Sequence, residues 1–219
     1  MPEGGGASLR RARRREFVLL FVLLPLGPVL LRPWMGVLLI PLLLTAGVLA
    51  LRVLLRDSAF PRRHLGRGWG APLLDRRTLA AVAAGAALLA LALALLAPER
   101  LFRLPREEPV LWLLVSALYP LASVLPQELL FRVFFFHRYR VLWPSLGVRI
   151  AVSAVVFAWA HLFFGNAVAP LLSLAGGLWF AADYARHGSL LRLACLHALW
   201  GELLFLLGYG EWFLGRYPG

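Results

Sequence analysis

The sequence predicts an all-α fold, a polytopic transmembrane helical bundle of about seven spans, with six to eight the range the pattern allows. Three observations carry this. The composition is 61% hydrophobic and 16% charged, where a soluble domain is nearer half apolar and a quarter charged. The apolar residues come in long blocks, not in the alternation of strands, and each block is near the roughly 20 residues that cross a bilayer as helix. The basic residues are all arginine, and most lie between the blocks.

The expected spans are 17–32, 34–55, 78–97, 109–126, 147–164, 167–185 and 190–209. The first, within "RRARRREFVLLFVLLPLGPVLL", has a basic flank and an apolar core as a secretory leader does. No small-residue cleavage site follows, so it reads as a retained span. Little more than Arg32 and Pro33 separates it from the second, which predicts a tight hairpin. The third, "LAAVAAGAALLALALALLA", is rich in small residues that permit close helix approach in lipid. The remaining four carry polar residues discussed below. The chain divides into a basic N-terminus (1–16), N-terminal helices with a basic loop (17–108), a core (109–209) and a short tail (210–219).

Arginine placement sets the orientation. Five lie in 10–15, seven in 52–77, four in 132–149, and Arg186 and Arg192 flank the sixth turn. These stretches alternate with poorer ones, as the positive-inside rule requires of a chain with a cytoplasmic N-terminus. The exception is "PERLFRLPREE", where three arginines meet three glutamates. Scattered between apolar blocks, the formal charge of +12 forms no single basic face for nucleic acid. The lipid bilayer is the expected partner; oligomeric state is not legible. Arginine without lysine fits GC-rich coding and hence a bacterial inner membrane. Cys195 is the only cysteine, which excludes a disulfide framework and a thiolate metal cluster.

Four polar features remain inside the apolar blocks. In "PQELLFRVFFFHRYR", Glu128 and Arg132 are four apart on one helix face, placed to pair. In "FAWAHLFFGN", Phe157 and His161 share a face and Asn166 follows. In "ACLHALWGELLF", His197 lies one turn before Gly201, whose bare backbone offers a flat surface for a substrate. Asp183 reads as an interfacial ion pair with Arg186. His64, His137 and His187 read as solvated loop residues, and "VFFFHRYRVLW" as an interfacial anchor.

Singly, each feature has a bland reading as a buried pair or a core histidine. Together they are costly burials on three blocks, and one polar cavity shared by three helices accounts for them most economically. A carboxylate, two imidazoles and a carboxamide suffice to activate water and hold an oxyanion. Two histidines and a carboxylate also form a possible zinc set, although no H-E-x-x-H is present; the expectation is no cofactor. A proton-coupled transporter would show two related halves, which this sequence lacks.

The order of a Glu-x-x-x-Arg helix, a Phe-x-x-x-His helix and a later His helix resembles the CPBP family. These are the CAAX proteases and bacteriocin-processing enzymes, glutamic-type intramembrane endopeptidases. The resemblance covers roughly 109–209 and implies a helical bundle with a polar cavity. It also implies a membrane-associated peptide or protein as substrate. The family's first motif is Glu-Glu-x-x-x-Arg, its first glutamate activating water; here that position is Gln127, and Glu128 is the second. Its third motif, His-x-x-x-Asn, begins here at His197 but ends at Gly201. The resemblance therefore implies Glu128, His161 and His197 as catalytic. Gln127, Arg132, Asn166 and Phe157 support them, with Gln127 or Asn166 supplying the carboxamide. The alternative is a catalytically inactive scaffold, immunity or peptide-binding protein of the same fold.

Overall fold

A backbone in hydrocarbon has no water to bond, so each segment must pair its own N–H and C=O groups, and helix is the local solution. The structure, a computed structural model, describes residues 3–31, 36, 38–68 and 73–214. Among these residues there is no strand. The expected hairpin at Arg32–Pro33 and residues 215–219 of the expected tail lie outside them.

Six helices are long and apolar enough to cross a membrane: α3 (Leu39–Arg56), α5 (Arg76–Leu96), α7 (Pro109–Arg138), α8 (Leu146–Phe164), α9 (Val168–His187) and α10 (Leu190–Leu207). The first apolar block is built differently. Helix α1 (Glu3–Phe17) runs on through a π-helical turn (Val18–Leu23), and after Pro25 a short α2 (Leu26–Leu30) follows. Short helices α4 (Arg63–Gly66), α6 (Arg103–Glu107) and α11 (Gly210–Leu214) lie between or after the spans.

The fourth block departs from its expected end at residue 126. It continues to Arg138 as one 30-residue helix. Pro120 and Pro126 lack the amide proton that an α-ladder uses, yet the helix does not break there. It widens into π-helical turns at Pro120–Val124 and Leu129–Phe134, with one α-turn, Leu125–Glu128, between them. Such turns absorb irregularity without ending a helix.

Helix ends follow capping rules. Asp75 accepts from the backbone N–H of Thr78 at 2.9 Å and starts α5; Ser189 accepts from that of Arg192 at 3.1 Å and starts α10. Gly188, at φ +58°, closes α9 in the left-handed region. Close approach uses glycine where helices cross. A Cβ at Gly47 would stand 2.8 Å from that of Pro126, and one at Gly177 3.1 Å from the Ala154 Cα, so α3–α7 and α8–α9 pack backbone to backbone.

The aromatic run on α7 is core, not interfacial anchor. Phe135 and Tyr139 are fully buried, and Phe17 and Phe21 pack edge-on against both. The N-terminal segment lies over this run and hides it. Glu16 fastens that segment: Arg138 donates to it twice at 2.8 Å and the Tyr139 hydroxyl once at 3.0 Å.

Other polar expectations change with the tertiary contacts. Asp183 pairs with Arg192 at 3.0 Å, across to the next helix, instead of with Arg186. His137 meets Asp57 at 2.8 Å and His64 meets the Tyr184 hydroxyl at 3.2 Å, so neither histidine is simply solvated. These contacts gather the ends of α1, α3, α7, α9 and the starts of α5 and α10 at one arginine-rich end. At the opposite end Arg100 and Arg103 pair with Glu211, and the charges there are mixed.

Candidate functional site

The site is built on α7, α8 and α10. Glu128 and Arg132 are fully buried, with side chains 0% exposed, and Arg132 Nη1 donates to Glu128 Oε1 at 3.1 Å. A guanidinium in such a place needs more than one partner. It has the Phe157 ring 4.1 Å beneath it, Phe180 at 5.6 Å, and the Gly177 carbonyl at 3.5 Å. The close approach at Gly177 is what brings that carbonyl in.

The same Glu128 oxygen is 2.6 Å from His197 Nδ1. A carboxylate accepts, so Nδ1 carries the proton and Nε2 presents its lone pair. There the Tyr119 hydroxyl donates, at 3.1 Å. Arg132, Glu128, His197 and Tyr119 thus form one continuous chain of hydrogen bonds across α7 and α10. Glu128 Oε2 has no partner among the described residues.

Phe157 joins the second histidine to this chain. Its ring lies 4.5 Å from that of His161 and 5.7 Å, edge-on, from that of His197. The shared face expected of Phe157 and His161 is present. His161 Nδ1 donates to the Phe157 carbonyl at 2.7 Å, which leaves Nε2 as the free ring nitrogen. Phe180 stacks on the other face of His197 at 4.6 Å.

A cavity of about 780 Å³ adjoins these residues, with Gln127, Phe157, His161, His197 and Tyr119 in its wall. Most of the remaining wall is aliphatic or aromatic, as in ligand cavities generally. Gln127 donates to Ser123 Oγ at 2.6 Å, and its Oε1 is buried without a partner among the described residues. Glu128, Arg132 and Asn166 do not line the cavity. The Asn166 amide is occupied with backbone: it donates to the Trp212 carbonyl at 2.9 Å and accepts from the Ala169 N–H at 2.9 Å. It caps α9 and ties α11 to it.

One sequence expectation changes here. Gly201 lines the cavity, yet the Tyr119 ring and hydroxyl occupy the space a Cβ there would enter, so the bare backbone is not left as a flat open surface. Tyr119 itself was not singled out in the sequence. Its signal was a tyrosine within an apolar span, which nothing local distinguishes from an interfacial tyrosine. Among the described residues no three His, Cys, Asp or Glu side chains gather as a metal-binding set; one ring nitrogen of each histidine is already bonded.

Fold and site together define an integral membrane protein with an apolar cavity that ends in an acid–base pair. Residues 108–201 match the family model for type II CAAX prenyl endopeptidase Rce1-like proteins. Over these residues the chain is similar to that endopeptidase family. The match ends at Gly201, the last position of the third motif. No curated protein and no solved structure matches the chain.

Proposed function

We propose that this protein is an intramembrane endopeptidase that hydrolyses a peptide bond of a membrane-associated peptide or protein at the polar foot of the cavity. The observation that carries this is the 2.6 Å bond between Glu128 and His197 Nδ1, on a histidine that also lines the cavity. A buried carboxylate behind an imidazole fixes its tautomer and stabilises the imidazolium that forms when the ring takes a proton. Glu128 acts through His197, and Arg132 and Phe157 hold the pair in place. Gln127 is neutral and cannot be a base, but its unpartnered Oε1 accepts from the attacking water. Gln127 is thus the carboxamide that holds the water, while the Asn166 amide is engaged elsewhere. His161 offers its Nε2 lone pair to the same water. The chemistry needs no cofactor.

The family description names a prenylated substrate; for this chain we propose the broader class of membrane-associated peptides. The arginine-rich end is assigned to the cytoplasm, with the N-terminus, in a bacterial inner membrane.

The test compares membrane and secreted peptides from cells carrying wild type, Glu128→Gln, His161→Ala or His197→Ala at matched protein level. One precursor is expected to persist uncut in all three variants, with cutting reduced about 100-fold or more. If variant and wild-type peptides are identical while deletion of the gene still has a phenotype, the protein is a binding or scaffold member of the fold.

A further inference from the structure

Position 201 and residue Tyr119 occupy one volume. A Cβ at 201 would fall within the Tyr119 ring and against its hydroxyl. Tyr119 in this position therefore requires glycine at 201, although the two lie on different helices. The third motif's asparagine, which this chain lacks, would have projected from position 201 into that space. The polar atom now found there is the Tyr119 oxygen, on the wall of the cavity and 3.1 Å from His197 Nε2. The ring is held edge-on against Phe205 at 5.4 Å and against His197 at 6.1 Å. The hydroxyl is thereby placed while its proton remains free to rotate.

We propose that Tyr119 is a catalytic residue, the donor that stabilises the oxyanion in place of the missing carboxamide. This rests on the endopeptidase reading above. At rest the hydroxyl donates to His197 Nε2 and caps the base. When a substrate carbonyl enters, the hydroxyl turns its proton to the carbonyl oxygen, and Nε2 is released to accept one from water. That proton goes to Nε2 as the water oxygen bonds to the carbonyl carbon. The carbonyl π pair moves onto oxygen, and the resulting anion accepts from Tyr119. The anion then collapses, the C–N bond breaks, and the proton on Nε2 passes to the departing nitrogen. A neutral phenol suits this task, since it donates without adding charge to the ground state, and its effect is realised only as the anion forms.

The test uses full-length protein in vesicles and a synthetic peptide spanning the cut junction of the precursor that accumulates in His197→Ala cells. Tyr119→Phe keeps the ring and loses the donor; kcat is expected to fall on the order of 100-fold, with KM changed less than about 3-fold. Gly201→Asn alone is expected to be inactive, because Tyr119 blocks the new side chain. Tyr119→Ala with Gly201→Asn returns a carboxamide to the vacated space and is expected to exceed Tyr119→Ala in kcat at least tenfold. Tyr119→Phe at wild-type kcat, with His197→Ala inactive, overturns the role of Tyr119 alone. Absence of any accumulating precursor overturns it together with the endopeptidase reading. A double variant no better than Tyr119→Ala, with both folded by size-exclusion profile, overturns the replacement of one donor by the other.

Discussion

At the scale of the residue, the chain of Arg132, Glu128, His197 and Tyr119 divides sharply by sequence distance. The Glu128–Arg132 pair is a local contact of i and i+4, and so is Phe157 beneath His161; both were legible from spacing alone. The Glu128–His197 bond links residues 69 apart, and that of Tyr119 to His197 links residues 78 apart. No periodicity encodes such pairs; they exist only once the helices are packed. Burial of Glu128 behind His197, out of the cavity wall, was for the same reason invisible. A buried ion pair is weak evidence for net stability, but removing one partner strands the other. Arg132→Met is therefore predicted to destabilise by about 3–5 kcal/mol. The double variant Arg132→Met with Glu128→Gln should lose less than the single. Thermal unfolding in detergent measures both, and a double variant less stable than Arg132→Met would show that the pair is not the cause.

At the scale of the element, α7 shows what an apolar pattern does and does not specify. Its existence and start were legible. Its length was not: the span was expected to end at residue 126, where the helix instead takes on π-helical turns and continues. The extra turns carry the aromatic run that receives α1. Glu16 governs that docking. Burial would raise its carboxyl pKa, but the hydrogen bonds and charge of Arg138, with Tyr139 and Arg13, hold it below its ordinary value of 4.5. A depressed pKa contributes stability that is fully present above 4.5 and is lost as pH falls through the lowered folded value. The melting temperature of Glu16→Gln should therefore lie below that of wild type at neutral pH. The gap should stay constant down to about pH 4.5 and close below it. A gap that widens on acidification would contradict the docking role.

At the scale of the whole molecule, the fold class was legible because lipid leaves few choices: long apolar blocks must be helices. The order of helices was fixed by the short connections. Which side chains meet at each end was not, and Asp183 with Arg192 and His137 with Asp57 had to be seen. Those meetings divide the bundle into an arginine-rich end and a mixed-charge end. The proposed orientation predicts that, with Cys195 replaced by serine, a membrane-impermeant maleimide added to intact cells labels Glu99→Cys and spares Arg63→Cys. The opposite pattern inverts the protein in the membrane.

The cavity draws its walls from the start of α3, the middle of α5 and α9, the stretch of α7 before Glu128, the later turns of α8 and α10, and α11. Its α3, α8 and α11 residues lie toward the mixed-charge end, and those of α5 and α9 nearer the middle of the bundle. In the proposed orientation, with the arginines in the cytoplasm, the cavity lies mainly in the outer half of the membrane and its polar foot near the middle. In that orientation the proposed endopeptidase is predicted to meet its targets after secretion has begun, so that an export block upstream leaves them uncut.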